Sequence, residues 1–138
     1  MGKTRSELRE IASHILYETY ILDNAKVEYD IDSLIKEEME IENDFVKELV
    51  NGVIKNQKTI IRLANKYLVN WDINRLSKID KAILSIGIYE LMYTNTPSVV
   101  SINEAIELSH KYSDEAVTKM INAALDSLYK SDDYQEKK

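Results

Sequence analysis

Residues 78–91, KIDKAILSIGIYEL, are the stretch that decides the fold. Apolar side chains recur in it at three- and four-residue steps, with Ile79, Ile83 and Leu91 on the repeat, which predicts a helix ending near Thr94. Apolar residues also fill most positions between these, so the helix is predicted to be largely buried. Pro97 marks a turn after it, and the run INEAIEL at 102–108 is predicted to lie in a second helix.

The same spacing predicts helices on both sides of this pair. The first covers about 4–22, a short acidic one is capped by Asp32 or Ser33 and runs through Ile41, and a longer one covers 44–68. In the longer one, Gly52 and Asn56 are the candidate kink positions. The last helix covers about 115–130.

Two local features of the final helices carry structural predictions. Ser101, with Glu104 three residues later, matches a capping box, so the helix after Pro97 is predicted to begin at Ser101. Gly87 lies in the middle of its helix, where glycine costs about 1 kcal/mol relative to alanine. We therefore expect another helix to approach closely there.

No segment alternates between apolar and polar residues, so the chain is predicted to be all-α, with six or seven helices in one bundle. One domain is expected over 1–130, followed by a polar, frayed tail over 131–138. The chain has no cysteine, which excludes disulfides and thiolate metal sites. No apolar run reaches membrane-spanning length, and the first residues have no apolar core typical of a signal peptide.

Charge is distributed unevenly along a chain whose net charge is −6. Residues 23–48 carry a net charge of −7, whereas residues 49–81 carry +5. A polyanion could therefore bind one face of the protein and would be repelled by another.

Signals for catalysis are few. His14 and His110 are the only histidines, and neither has a partner at metal-ligand spacing. Glu104 and Glu107 could form an acid–base pair, but helix capping and solvent exposure explain them better. The glycines are isolated, so no phosphate-binding loop is expected. We therefore expect no enzyme, no metal and no cofactor.

Residue spacing alone leaves the role of the cations and tyrosines open. Three spaced sets of basic residues, in the first helix, along 55–66 and along 75–81, could track phosphates or could form ordinary solvated faces. The tyrosines could stack on bases, but aromatic residues at helical spacing are more often in the core.

The chain resembles the NusB family of transcription antitermination factors. The resemblance rests on the segments DKAILS at 80–85, YEL at 89–91, Pro97, INEAIEL at 102–108, KYS at 111–113 and KMINAALD at 119–126. The arginine-containing start, from Arg5 through Tyr17, also resembles the family. Together these segments span nearly the whole chain.

The resemblance implies two roughly perpendicular three-helix bundles and a cytoplasmic, non-enzymatic RNA-binding protein. It implies recognition of single-stranded boxA RNA in ribosomal RNA leaders, together with NusE, a small-subunit ribosomal protein, within an antitermination complex on RNA polymerase. Tyr17 and Asp80 are expected to face NusE. The residues expected to face RNA are Lys3, Arg5, Arg9, Lys81, Lys119, Met120 and Asn122.

Five positions depart from the family pattern. Ser6 and Glu7 stand where basic residues are frequent, and Ser85 stands where arginine is frequent. Met120 replaces an aromatic residue, and Ala123 replaces a glycine. These departures keep a second hypothesis open, in which the chain is a NusB-like protein–protein interaction module that can form a homodimer and has weak or lost RNA binding.

Overall fold

The computed structural model describes residues 2–39 and 41–137, and regular structure in these ranges is entirely helical. Seven helices of eight or more residues are present, followed by a four-residue helix. Their bounds are α1 Arg5–Asn24, α2 Ile31–Glu38, α3 Asp44–Lys55, α4 Gln57–Tyr67, α5 Lys78–Tyr93, α6 Ser98–Tyr112, α7 Glu115–Tyr129 and α8 Asp132–Gln135, with a single 3₁₀ turn at Ile73–Arg75. The all-α prediction is confirmed.

Helix α5 is the centre of the molecule. It contacts α1, α3, α4, α6 and α7, and every residue from Ala82 to Leu91 is buried. The prediction of a buried helix here is confirmed. Helices α1, α2 and α3 contact one another, as do α5, α6 and α7, so α5 joins two three-helix groups.

Two glycines of the core allow close packing. A Cβ atom added at Gly87 would lie 3.0 Å from a methyl carbon of Leu125 on α7 and 3.4 Å from Ala105 on α6, which confirms the predicted close approach. At Gly52 the added atom would lie 2.2 Å from the Tyr89 ring. Both positions therefore keep neighbouring helices in contact with α5.

The predicted long helix over 44–68 is two helices. Helix α3 ends at Lys55 and α4 begins at Gln57, with Asn56 between them at φ −104° and ψ 19°. The side-chain amide of Asn56 donates a hydrogen bond to the Gly52 carbonyl at 2.8 Å. A side chain that binds the backbone in this way competes with helix continuation, which accounts for the break.

The predicted start of α6 is wrong. The helix begins at Ser98 with Pro97 as its N-cap residue, so Ser101 lies inside the helix and Glu104 caps nothing. Proline has a fixed φ that suits the start of a helix, and this preference overrides the Ser-x-x-Glu pattern. The Glu104 carboxylate instead accepts hydrogen bonds from Ser6 and Arg9.

The N-cap of the short acidic helix lies two or three residues before the predicted caps, Asp32 and Ser33. Asp30 is the N-cap residue of α2, and its carboxylate accepts a hydrogen bond from the Ser33 hydroxyl at 2.9 Å instead of capping the backbone. The helix ends at Glu38, earlier than the predicted Ile41.

The expectation of a frayed tail is also wrong for residues 132–135, which form α8. Ser131 caps this helix, and the Asp133 carboxylate binds Lys66 at 2.8 Å and the Tyr67 hydroxyl at 2.6 Å. These contacts attach the chain end to the end of α4.

Candidate nucleic-acid interface

Contacts between α1 and α5 show how the predicted RNA-facing residues are distributed. Arg9 near the start of α1 binds Glu90 near the end of α5, whereas Tyr20 near the end of α1 lies against Lys81 near the start of α5. The two helices are therefore antiparallel. Arg9 and Tyr20 are about 16 Å apart along α1, so the predicted residues on α1 and Lys81 lie at opposite ends of this interface.

Arg9 does not face solvent, contrary to the prediction that it contacts RNA. Its side chain is 6% exposed, and its Nε and Nη2 atoms donate to the two Glu90 carboxylate oxygens at 2.7 and 2.8 Å. Nη1 donates to Glu104 at 3.1 Å. Burial alone would lower the pKa of Arg9, but hydrogen bonds and charge from Glu90 outweigh it and raise the pKa. Arg9 therefore holds α1, α5 and α6 together.

The outermost cations of α1 remain accessible. Lys3 and Arg5 are exposed, and the Arg5 guanidinium lies 4.1 Å from the centroid of the Phe45 ring. Such a cation–π contact orients the arginine while leaving its donors free. Phe45 was not predicted to be a site residue, because an aromatic residue at helical spacing usually lies in the core.

Two departures from the family pattern have structural roles at this end of α1. Glu7 forms a capping box with Thr4, and this hydrogen bonding lowers the pKa of Glu7. The Ser6 hydroxyl donates to the Glu104 carboxylate. Both positions therefore stabilise the start of α1.

Lys81 has surroundings unlike those of Arg9. Its amino group donates to the Asn74 side-chain oxygen at 3.1 Å and lies 4.5 Å from the centroid of the Tyr20 ring. Partial burial lowers the pKa of Lys81. The charge of Asp23 opposes this shift, and the charge of Lys78 adds to it. Among the residues that the structure describes, no carboxylate oxygen lies within 4.0 Å of the Lys81 amino group, so its donors are available to an anion from outside.

The predicted residues of α7 follow a turn that contacts the start of α5. The Ser113 hydroxyl, directly before α7, donates to the Asp80 carboxylate, which brings the α6–α7 turn against the first turn of α5. Lys119 and Asn122 are exposed, and Lys119 makes only a 3.6 Å ion pair with Glu115. Exposed pairs of this kind contribute little, so Lys119 can exchange its partner. Met120 is partly buried against the core.

The two residues expected to face NusE differ in exposure. Tyr17 is 41% exposed, and Ile21, one turn later, is 40% exposed, so they form an apolar strip on α1. Asp80 is 6% exposed and accepts hydrogen bonds from the Ser77 and Ser113 hydroxyls. The Asp80 side chain therefore connects the starts of α5 and α7 and does not point outward, contrary to the prediction.

One polar cluster has no counterpart in the sequence-based predictions. The Tyr112 hydroxyl binds His14 Nε2 at 2.7 Å and the Glu10 carboxylate, and Lys111 binds the same carboxylate at 2.8 Å. Burial and the Glu10 carboxylate raise the pKa of Tyr112 to about 12. The cluster joins α1 to the end of α6, and its partners are too far apart in sequence to be paired by pattern.

Within the described residues, no group of three or more His, Cys, Asp or Glu side chains is placed to hold a metal ion. In the same part of the chain, no helix is long and apolar enough to cross a bilayer.

The model of the NusB family matches residues 6–130. The chain belongs to the NusB family. A transcription antitermination protein NusB from Ruminiclostridium cellulolyticum is 38% identical over 99% of this chain and 94% of its own length. A second NusB, from Chloroherpeton thalassium, is 35% identical over 91% of this chain, but the matched region is only 61% of that longer protein.

Solved structures agree with this assignment. NusB from T. maritima superposes with a TM-score of 0.83 at 26% identity, covering 99% of this chain and 98% of that one. A chain from a crystal structure of the antitermination factors NusB and NusE in complex with double-stranded RNA gives a TM-score of 0.76 at 25% identity, covering 91% and 96%. The NusB-like fold expected from the resemblance is confirmed.

Proposed function

We propose that this protein is a transcription antitermination factor that binds boxA RNA of ribosomal RNA leaders together with NusE. The observation that carries the proposal is the family match over residues 6–130, supported by relatives named as antitermination proteins. A related chain occurs in a structure with NusE and RNA. The protein would act in the cytoplasm, within an RNA polymerase antitermination complex, as a binding protein without catalysis.

The proposed RNA contacts are the exposed or solvent-reachable cations. Lys3 lies just before α1 and Arg5 is its first residue. Lys81 lies in the first turn of α5, and Lys119 and Asn122 lie one turn apart on α7. Arg9 is left out because both its charge and its donors are used by Glu90 and Glu104. Phosphate contacts at the cations would supply affinity, and Asn122 could contribute to base recognition.

The proposed NusE contact is the apolar strip of Tyr17 and Ile21. Exposed aromatic and aliphatic residues on one helix face are suited to bind a protein partner, since burying them gains hydrophobic free energy. Asp80 would support this surface indirectly by fixing the start of α5.

The test is fluorescence anisotropy of a labelled boxA-like RNA, titrated with the protein alone and with NusE. A scrambled RNA and a duplex of the same sequence are compared in parallel. Preferential binding of the boxA-like RNA, strengthened by NusE, is the expected result. Binding of NusE with no discrimination between RNAs would contradict the proposal and favour the protein–protein module.

The chain offers a matched pair of variants for this titration. Lys119 and Lys130 both lie at or just after α7, and each forms an exposed ion pair with an acidic residue four positions earlier. Lys119→Gln should weaken RNA binding and lower the magnitude of the log–log salt slope by about 0.7. Lys130→Gln removes the same charge and should leave binding unchanged.

A further inference from the structure

Two neighbouring cavities share one residue, Gln57, at the start of α4. The first, of about 290 Å³, lies between the end of α1 and the starts of α4 and α5. Its charged lining residues are Lys78, Lys81 and Asp23. Two cations therefore face one carboxylate across this cavity.

The second cavity, of about 620 Å³, follows the junction of α3 and α4 on the other side of Gln57. Its charged lining residues are Lys55 and Lys58, and no acidic residue lines it. We call the two cavities together the Gln57 groove. Four lysines and a single aspartate line this groove in a protein whose net charge is −6.

Within the described part of the chain, the lysines of the Gln57 groove form no ion pair at contact distance, although Asp23 lines the same cavity as Lys78 and Lys81. Among the described residues, Lys55, Lys58 and Lys78 have no carboxylate oxygen within 4.0 Å of the amino group. Lys66, further along α4, behaves differently, since Asp133 binds it at 2.8 Å. The charge of Lys66 is therefore offset inside the protein, whereas no described residue forms such an ion pair with the lysines of the Gln57 groove.

Two of these lysines do not stabilise the helices that carry them. Lys58 is the second residue of α4, and Lys78 is the first residue of α5. The helix macrodipole favours acidic residues in the first turn and disfavours cations there. Their positive charges at these positions therefore need an explanation outside the folding of α4 and α5.

We propose that the Gln57 groove binds the phosphodiester backbone of RNA that flanks the sequence-specific site. This inference rests on the proposed function, because Lys81, which lines the groove, also belongs to the proposed RNA contacts. Lysines that line two adjoining cavities can contact successive phosphates of a flexible chain, and spaced cations gain affinity by releasing the counterions of that chain. The groove would add affinity for RNA length without reading base sequence.

The experiment compares a short labelled boxA-like RNA with the same RNA extended by uridines at both ends. The variant is Lys58→Gln with Lys78→Gln, which removes one cation from each cavity. The control is Lys26→Gln with Lys36→Gln, which removes two exposed cations from the acidic segment. Thermal unfolding of both double variants establishes that the fold is intact.

The groove variant should bind the extended RNA about tenfold more weakly at low salt, with a salt slope smaller in magnitude by about 1.4. Its binding of the short RNA and its preference over a scrambled sequence should match those of the unmodified protein and the control. Wild-type affinity for the extended RNA, or equal weakening for both RNAs, would overturn the proposal. So would binding of phosphatidylserine vesicles through these lysines without any gain from RNA extension.

The outcome is separable from that of the proposed function. Failure to distinguish boxA-like from scrambled RNA would refute sequence-specific antitermination, yet loss of extended-RNA binding in the groove variant would still support the groove. Conversely, the groove variant could distinguish boxA-like from scrambled RNA and still bind the extended RNA as tightly as the unmodified protein does. That result would refute only the groove.

Discussion

Arg9 and Lys81 are cations at opposite ends of the same α1–α5 interface, and the structure uses them in opposite ways. Arg9 has carboxylates on every donor-bearing nitrogen, from Glu90 and Glu104. Lys81 has an amide oxygen and an aromatic ring as neighbours instead. A buried cation whose donors all contact carboxylates is therefore structural, whereas a cation with Asp23 across a cavity but no carboxylate in contact keeps its donors for a ligand.

The largest effect is expected at Arg9. Arg9→Met should lower the free energy of unfolding by about 3–5 kcal/mol, because it leaves the buried Glu90 carboxylate without its partner. Urea unfolding followed by circular dichroism measures this. Adding Glu90→Met should recover most of the loss, since an apolar pair of similar volume replaces the ion pair. A single-variant loss below about 1 kcal/mol would show that the pair is not structural.

The next largest effect is expected at Asp80, which connects the starts of α5 and α7. Asp80→Asn should cost about 1–3 kcal/mol, because an amide has one acceptor oxygen for two hydroxyl donors. Asp114→Asn is the matched control, since asparagine caps a helix as well as aspartate does and Asp114 caps α7. Equal stability of the two variants in urea unfolding would contradict the assigned role of Asp80.

Lys81 itself should matter little for folding. Lys81→Met keeps the apolar stem and removes a partly buried charge, so the free energy of unfolding should change by less than about 1 kcal/mol, in the stabilising direction. Thermal and urea unfolding measure the change. A loss of unfolding free energy as large as that of Arg9→Met would contradict the view that Lys81, unlike Arg9, is not structural.

The smallest effect is a pH dependence beside Lys81. Burial raises the pKa of Tyr20 to about 12, above the ordinary value of 10.0. A raised folded-state pKa favours the protonated form, so this contribution is present below pH 10 and is lost as the pH rises towards 12. Urea unfolding at pH 9 and pH 11 should therefore show a smaller alkaline loss for Tyr20→Phe than for the unmodified protein. Tyr17→Phe, at an exposed position, serves as the control, and equal losses in all three proteins would contradict the assignment.

Sequence patterns predicted the helices well where the residues of a single helix are sufficient to determine its structure. The burial of α5 followed from its apolar residues, and the close approach at Gly87 followed from the cost of glycine inside a helix. The Thr/Ser-x-x-Glu pattern shows the limit. At Thr4–Glu7 the pattern caps α1. At Ser101–Glu104 it caps nothing, because the helix already begins after Pro97 and the Glu104 carboxylate binds Arg9.

The candidate site was predicted less completely, because a side chain's role depends on partners distant in sequence. Arg9 and Lys119 are alike as cations in a pattern, but only Arg9 has Glu90 within reach, 81 positions away. Lys58 and Lys78 stood among spaced cations that could equally have formed a solvated face. Their common position at Gln57 depends on the packing of α4 against α5.

The most direct test of the contrast between Arg9 and Lys81 is a titration of boxA-like RNA with Lys81→Met, Arg9→Met and the unmodified protein. All three are titrated at one temperature at which each is fully folded. Lys81→Met should bind several-fold more weakly, with a salt slope smaller in magnitude by about 0.7. Folded Arg9→Met should bind with the affinity and slope of the unmodified protein. The reverse pattern, in which Arg9→Met loses RNA affinity and Lys81→Met keeps it, would contradict the account.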